Sequence, residues 1–316
     1  MRHIVVRRLI TAPLVLVVAS VLIFLLVHVA PGDPARAALG PYATAEQLSV
    51  WRGERGLDGS LLSRYGAWLG GVVRGNWGHS VMFGTEVRPL VLGRLGNSLL
   101  LGLAAFVLAT PVAIGVGIWS GMRRGRLVDR AVSIAGLVLA STPAFVIGAI
   151  LLMGFAVHLR WFPVNSQPPP GIVRGGRLRA MFLPALTVSL GLLGYVSRMA
   201  RAGTIGVLDS AYYRAAELKG LATARLVRRH VLRNALVPTI AVLSTQLATM
   251  LGGLVVVEAL FNYPGVGLLI VDAARDHDVT VLEAATLTTA AVSMLVLLVA
   301  DLVYGGLDPR VRHGRA

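Results

Sequence analysis

The sequence contains no cysteine, which excludes disulfides, thiolate nucleophiles and cysteine-ligated metals. Its single lysine is Lys219, followed at once by Gly220, so a phosphate-cradling loop of the form G-x-x-x-x-G-K-[ST] cannot exist in the chain. Charge is scarce: Asp, Glu, Lys and Arg together make up 14% of 316 residues, and aromatics 6%. Neither H-E-x-x-H nor G-x-S-x-G occurs, and no two aspartates sit in apolar runs where they could cleave a peptide. These absences leave no constellation for covalent chemistry; the chain is expected to be no enzyme, with no metal and no cofactor of its own.

What the chain has is apolar length. Hydrophobic residues make up 55%, and the mean hydropathy is +0.73, so the solvent for most of the chain is lipid. Lys plus Arg number 30 against 15 acids, a formal charge of +15. In a soluble protein such a balance suggests nucleic acid. Here the basic residues crowd into short connections between apolar runs without interleaved aromatics, so nucleic acid is not expected as a partner and membrane lipid is.

Backbone polar groups in a bilayer must be satisfied internally, so apolar runs of about 20 residues read as crossing helices. The spacing predicts six, at about Leu9–Ala30, Asn97–Trp119, Val132–Val157 with a kink at Pro143, Phe182–Ser197, Val237–Val257 and Ala284–Leu307. Arg2, Arg7 and Arg8 precede the first, but its apolar run is too long for a signal peptide and it is expected to stay. This divides the chain into a tail with the first span (1–30), an extracytoplasmic segment (31–96), a core of five spans (97–307) and a cytoplasmic tail (308–316). The extracytoplasmic segment carries short helices near Ala45–Arg55 and Leu61–Val73, and Trp51, Trp68 and Trp77 that read either as interfacial anchors or as part of an external platform.

Arginine bias sets the orientation. Arg123, Arg124, Arg126 and Arg130 crowd the connection after the second span, seven basic residues from Arg201 to Arg233 the one after the fourth, and Arg310, Arg312 and Arg315 the tail. The connection after the fifth span is acidic. Both termini are therefore expected inside, against the vote of one basic loop holding Arg160, Arg174, Arg177 and Arg179.

The connection 201–236 is long and patterned as two helices. Asp209 or Ser210 can cap the first, over Ala211–Lys219, and Gly220 suits a left-handed stop. Thr223 can cap a second, on which Arg225, Arg229 and Arg233 stack at i, i+4, i+8. Basic charge and amphipathicity alone fit a lipid-surface pair; the small pair Ala215-Ala216 beside Glu217 and a glycine turn fits insertion into a protein cleft.

Arg214-Ala215-Ala216-Glu217-Leu218-Lys219-Gly220 followed by His230-Val231-Leu232-Arg233-Asn234-Ala235-Leu236-Val237-Pro238 resembles the coupling loop of binding-protein-dependent importers, in the variant of peptide permeases. The resemblance runs through Pro31-Gly32-Asp33-Pro34, Gly56-Leu57-Asp58, Trp68-Leu69-Gly70-Gly71, Asn97-Ser98, Glu258-Ala259-Leu260-Phe261, Tyr263-Pro264-Gly265-Val266-Gly267 and Leu307-Asp308-Pro309-Arg310. Arg214 stands where many members carry the first Glu, and Arg233 where the motif closes on Pro. The chain is thus similar to a first permease subunit of the dipeptide, oligopeptide and nickel ATP-binding-cassette (ABC) importers. The resemblance implies an all-α fold of the type I importer permease class. It implies a second homologous permease, two ATPase domains that hold ATP and Mg, and an extracytoplasmic binding protein as partners, in a bacterial cytoplasmic membrane. Arg214, Ala215, Ala216, Glu217, Lys219 and Gly220 would then touch the ATPase, and the cargo would be a di- or oligopeptide, or else nickel, haem or another small solute.

On the fifth span Thr239, Gln246, Thr249, Met250 and Gly253 share roughly one face, which reads either as the lining of an aqueous path or as small-residue packing. Asp301 and His28 are ionisable residues near span ends. They are structural in the first reading and coupling sites in a competing one, an ion-driven transporter acting alone.

Overall fold

The computed structural model describes residues 2–29, 34–40, 42–54, 59–167, 174–220, 226 and 232–307. The expected second helix from Thr223, the stacked Arg225 and Arg229, the Pro168–Gly171 turn, Gly56-Leu57-Asp58 and the tail from Asp308 fall outside them, as do the side chains of Arg233 and Asp301.

Twelve α-helices follow in order among the described residues: α1 (Arg2–Val29), α2 (Pro34–Leu39), α3 (Ala45–Glu54), α4 (Leu61–Arg74), α5 (Val87–Met122), α6 (Leu127–Ser141), α7 (Ala144–Leu151), α8 (Arg174–Leu208), α9 (Ala211–Leu218), α10 (Leu232–Phe261), α11 (Val266–Arg275) and α12 (Val279–Leu307). A π-helical turn, Leu152–His158, continues α7. The only β feature among the described residues is an isolated bridge between His79 and Glu86.

Four helices, α1, α5, α8 and α12, are each long and apolar enough to cross a bilayer. Two further pairs pass only when taken together, each as a broken span or a re-entrant loop, bent by 105° between Leu127–Ser141 and Ala144–His158 and by 73° between Gly252–Phe261 and Val266–Arg275. The kink expected at Pro143 is thus a sharp break. Proline has no N–H to continue the ladder and pushes the residue before it toward extended backbone. Thr142 accordingly sits at φ −86° and ψ 126°, its N–H still bonded to the Val138 carbonyl. The expected fourth span is too short in the opposite sense: α8 runs 35 residues and takes Pro184 inside it. Its extension past Ser197 carries Arg201, whose charge is neutralised by Asp129.

The chain forms two compact units. The first joins residues 100–263 to 295–307. In it α8 is held close to two neighbours through glycine. A side chain at Gly121 of α5 would put its Cβ 2.8 Å from Thr204 Cβ, and one at Gly117 would strike the Ser197 carbonyl. A Cβ at Gly194 of α8 would lie 2.8 Å from the Ala140 nitrogen and the Gly136 oxygen of α6. Such small-residue seams let helix backbones approach where lipid offers no hydrophobic drive to pack. Ser189 Oγ adds a hydrogen bond to the Ala105 carbonyl, 3.1 Å across to α5. Ala109 and Ala113 of α5, Leu192 and Val196 of α8 and Leu243 of α10 form one buried cluster. Ala156, Leu183, Val257 and Phe261 form another where the π turn meets α8 and α10.

The second unit joins residues 3–99 to 264–294. Val87, Val91 and Leu95, one turn apart on α5, pack against Val266, Leu269 and Ala273 of α11 and Val281, Ala284 and Ala285 of α12. That burial carries α5 ten residues before the expected start at Asn97. The Asn97-Ser98 pair has a definite task here. Asn97 Nδ2 donates to the Pro264 carbonyl at 2.8 Å, and Ser98 Oγ accepts the Val266 N–H at 2.8 Å, so the two residues dock the start of α11. Asp278 caps α12 by accepting the Val281 N–H, while its other oxygen accepts from Ser80 Oγ at 2.6 Å. Trp68 packs with Phe24 and Tyr65, and Trp77 donates to the Val72 carbonyl. His28 stacks on Phe24 and lies 3.3 Å from the buried Glu283 carboxylate.

The seams predict opposite outcomes for two glycines one turn apart. Gly194→Ala should overpack the α6–α8 contact and cost about 1–3 kcal/mol, whereas Gly191→Ala meets open space and should hold or raise stability by up to about 1 kcal/mol. Thermal unfolding of the purified subunit in mild detergent checks both, and equal shifts for the two variants would contradict the packing.

Candidate functional site

The segment with the strongest functional signature in the sequence becomes a short helix at the end of α8. Two residues, Asp209 and Ser210, separate α8 from α9. Of the two expected caps the structure uses Ser210, whose Oγ accepts the Tyr213 N–H. At the other end the Gly220 N–H returns to the Glu217 carbonyl and the backbone turns left-handed, with φ +72° at Gly220. Only glycine adopts that conformation without strain from a Cβ.

α9 is amphipathic and rests on the bundle by one narrow ridge. Tyr213 and Ala216 are buried against Ile118 of α5, Val207 of α8 and Leu226. Burial, with the Glu217 charge nearby, raises the Tyr213 hydroxyl above its ordinary value, so it stays neutral at physiological pH. The pair Ala215-Ala216, expected to act together, is split between two faces: Ala216 packs inward and Ala215 is exposed. Arg214, Glu217, Lys219 and Gly220 are exposed with Ala215. So are two large apolar side chains, Tyr212 and Leu218, the latter 89% accessible. Helical spacing read from sequence had not singled Leu218 out as exposed.

The support under α9 was also unforeseen. Asp129, in the first turn of α6, is almost fully buried and accepts four hydrogen bonds. Arg201 of α8 clamps both its oxygens, from Nε at 2.5 Å and Nη2 at 2.9 Å. Ser120 Oγ donates at 2.7 Å and the Gly125 N–H at 2.9 Å. Arg124 and Asp209 form a second pair at 3.0 Å in full solvent, a kind of contact that contributes little. Arg214 Nη2 donates to the Asp209 carbonyl at 3.0 Å.

The residues expected to line a path on α10 do not share one environment. Thr249 and Gly253 are exposed, and Gln246 and Met250 half-buried beside them. Thr239 is fully buried instead. Leu243, one turn on, is buried among α5 and α8 side chains, while Thr245 is exposed. Among the described residues no group of three or more histidines and acids is placed to hold a metal ion.

Comparison with known proteins agrees with this architecture. Residues 113–313 match the family described as the binding-protein-dependent transport system inner membrane component, and residues 1–87 match the N-terminal model of the same transport systems. The chain is 34% identical to the probable peptide ABC transporter permease protein y4tP of Sinorhizobium fredii, over 97% of this chain and 98% of that one. It is 34% identical to a putative peptide permease of Brucella suis, over 94% and 95%. It is 33% identical to the glutathione transport system permease GsiC of Escherichia coli, over 99% and 100%. With the apolar spans and the family match in hand, the chain belongs to the binding-protein-dependent transport system inner membrane components, and is a multi-pass permease subunit of an ABC importer in the cytoplasmic membrane.

Proposed function

We propose that this permease forms half of a channel importing small peptides, with a second homologous permease as the other half. Two ATPase domains, which hold the ATP and Mg that this chain does not bind, dock on α9 from the cytoplasm, and an extracytoplasmic binding protein delivers the cargo. The chain itself performs no covalent chemistry. In this reading the bent pairs each count as one crossing, so six spans leave both termini inside, in accord with the arginine-rich connections around Arg123–Arg130 and Arg201–Arg233. The observation that carries the reading is the exposed tip of α9: Leu218, Ala215, Glu217, Lys219 and Gly220 projected from a helix whose opposite ridge is seated on α5 and α8.

Alternating access requires the bundle to have two arrangements and α9 to favour one when the ATPase closes. The exposed stretch of α10, with Thr249 and Gly253 flanked by Gln246 and Met250, faces the translocation path, and Thr239 serves packing. A peptide cargo is supported by two relatives named as peptide permeases and a third named for glutathione, itself a small peptide.

Purification from native membranes in mild detergent should recover a Walker-A ATPase and a second permease with this chain. Recovery of the chain alone, with uptake that survives ATP depletion and collapses with a protonophore, would replace this reading with an ion-driven transporter. Leu218→Glu should weaken ATPase retention by about 2 kcal/mol, roughly thirtyfold in affinity, while Leu127→Glu, also exposed but at the start of α6, should not. Gly220→Asp should abolish uptake without loss of inserted protein. Aspartate tolerates the left-handed backbone better than most residues, so the defect reports the added charge at the docking face; wild-type uptake by this variant would remove α9 from the mechanism.

A further inference from the structure

The buried Asp129 carboxylate joins three pieces of chain that sequence keeps apart. Ser120 belongs to the last turn of α5, Gly125 to the four-residue turn that follows, and Arg201 to α8, 72 residues from Asp129. All four bonds are made by one side chain that is itself 4% exposed, against 30% for Arg201. Directly below, α8 ends and α9 begins. Asp209 in that joint holds Arg124 of the α5–α6 turn and, through its carbonyl, Arg214 of α9. Around the carboxylate Gly117 and Gly121 bring the α5 backbone against Ala200, Arg201 and Thr204 of α8.

We propose that Asp129 and Arg201 are a positioning pair that makes the α5–α6 turn, the end of α8 and α9 move as one body, so that displacement of α9 reaches α6 and its break at Pro143 instead of being absorbed by slippage of α8. The inference rests on the reading of α9 as the ATPase-docking helix. Opening this contact leaves the buried Asp129 carboxylate without its guanidinium partner, and charge-assisted bidentate bonds of this kind are both strong and direction-setting. The exposed Arg124–Asp209 pair exchanges freely with water and cannot do the same. A glycine seam alone resists separation but not sliding along its groove; a bidentate clamp that bridges the two helices resists both.

The absence of cysteine makes the test direct. Leu127 at the start of α6 and Leu218 at the tip of α9 are 82% and 89% exposed. Leu127→Cys with Leu218→Cys places two spin labels on the full-length chain in lipid nanodiscs without any competing thiol of its own. One narrow inter-label distance is expected, and Asp129→Asn should broaden it. In the complex purified from membranes, the same variant should keep ATP turnover but move about tenfold less cargo per ATP, equivalent to about 1.4 kcal/mol of lost coupling. Ser120→Ala, which removes one of the four bonds and strands no charge, should produce a smaller broadening and a smaller loss, and carries the test if Asp129→Asn fails to accumulate. An unchanged distance distribution in the variant, or a broadened one with cargo per ATP intact, would overturn the proposal. Failure to recover any ATPase would instead overturn the docking role of α9, while the distance measurement would still decide whether the pair locks the three segments together.

Discussion

Lipid gives two apolar helices no reason to prefer each other over hydrocarbon, so a membrane bundle needs contacts that lipid cannot make. In the first compact unit there are two kinds. Glycines on α5 and α8 bring backbones together until a single added methyl would collide with α8 and α6, which multiplies dispersion contacts that are individually small. One carboxylate, Asp129, then ties the same three helices by hydrogen bonds that have no counterpart in a lipid environment. The first contact fixes how close the helices come and the second fixes their register along one another. α9 depends on both, because its buried ridge of Tyr213 and Ala216 meets α5 and α8 together.

Much of the fold was legible. The apolar runs fell where helices α1, α5, α8, α10 and α12 lie, and α3, α4 and α9 began within a residue of their expected starts. Local signals did this: apolar length, caps, and a glycine stop. What was not legible depended on partners distant in sequence. A charged residue in an apolar run reads as the run's end, so α8 was cut short before Arg201; only the position of Asp129 shows that the charge is matched. Pro143 was recognised as a disturbance, but whether a helix bends slightly or turns through 105° depends on what receives the two halves. Asn97-Ser98 was visible as a motif without a task, since the Pro264 carbonyl and Val266 N–H that give it one lie over 160 residues on.

The candidate site shows the same division. Cap, stop and amphipathic pattern placed α9 correctly, and Ser210 and Gly220 do what their types suggest. Of the two adjacent alanines only Ala216 turns inward, and that choice is made by the α5 and α8 side chains beneath. Leu218 looked like an ordinary apolar residue because hydrophobicity in a sequence carries no information about which apolar residues remain uncovered.

The Asp278 cap has a consequence for how the protein is made. Its bond to Ser80 spans 198 residues, and the core that seats the start of α5 is completed by α11 and α12. The second unit cannot close until residues 264–294 have left the ribosome, and the first is not complete until 295–307 follow them, whereas the Asp129–Arg201 contact needs only 72 residues of separation and can form while synthesis continues. Residues 3–99, though translated first, therefore wait longest for their native neighbours. During that interval Val87, Val91 and Leu95 at the start of α5 lack the side chains that bury them, and it is there, near the oldest part of the nascent chain, that quality control has its longest opportunity to act.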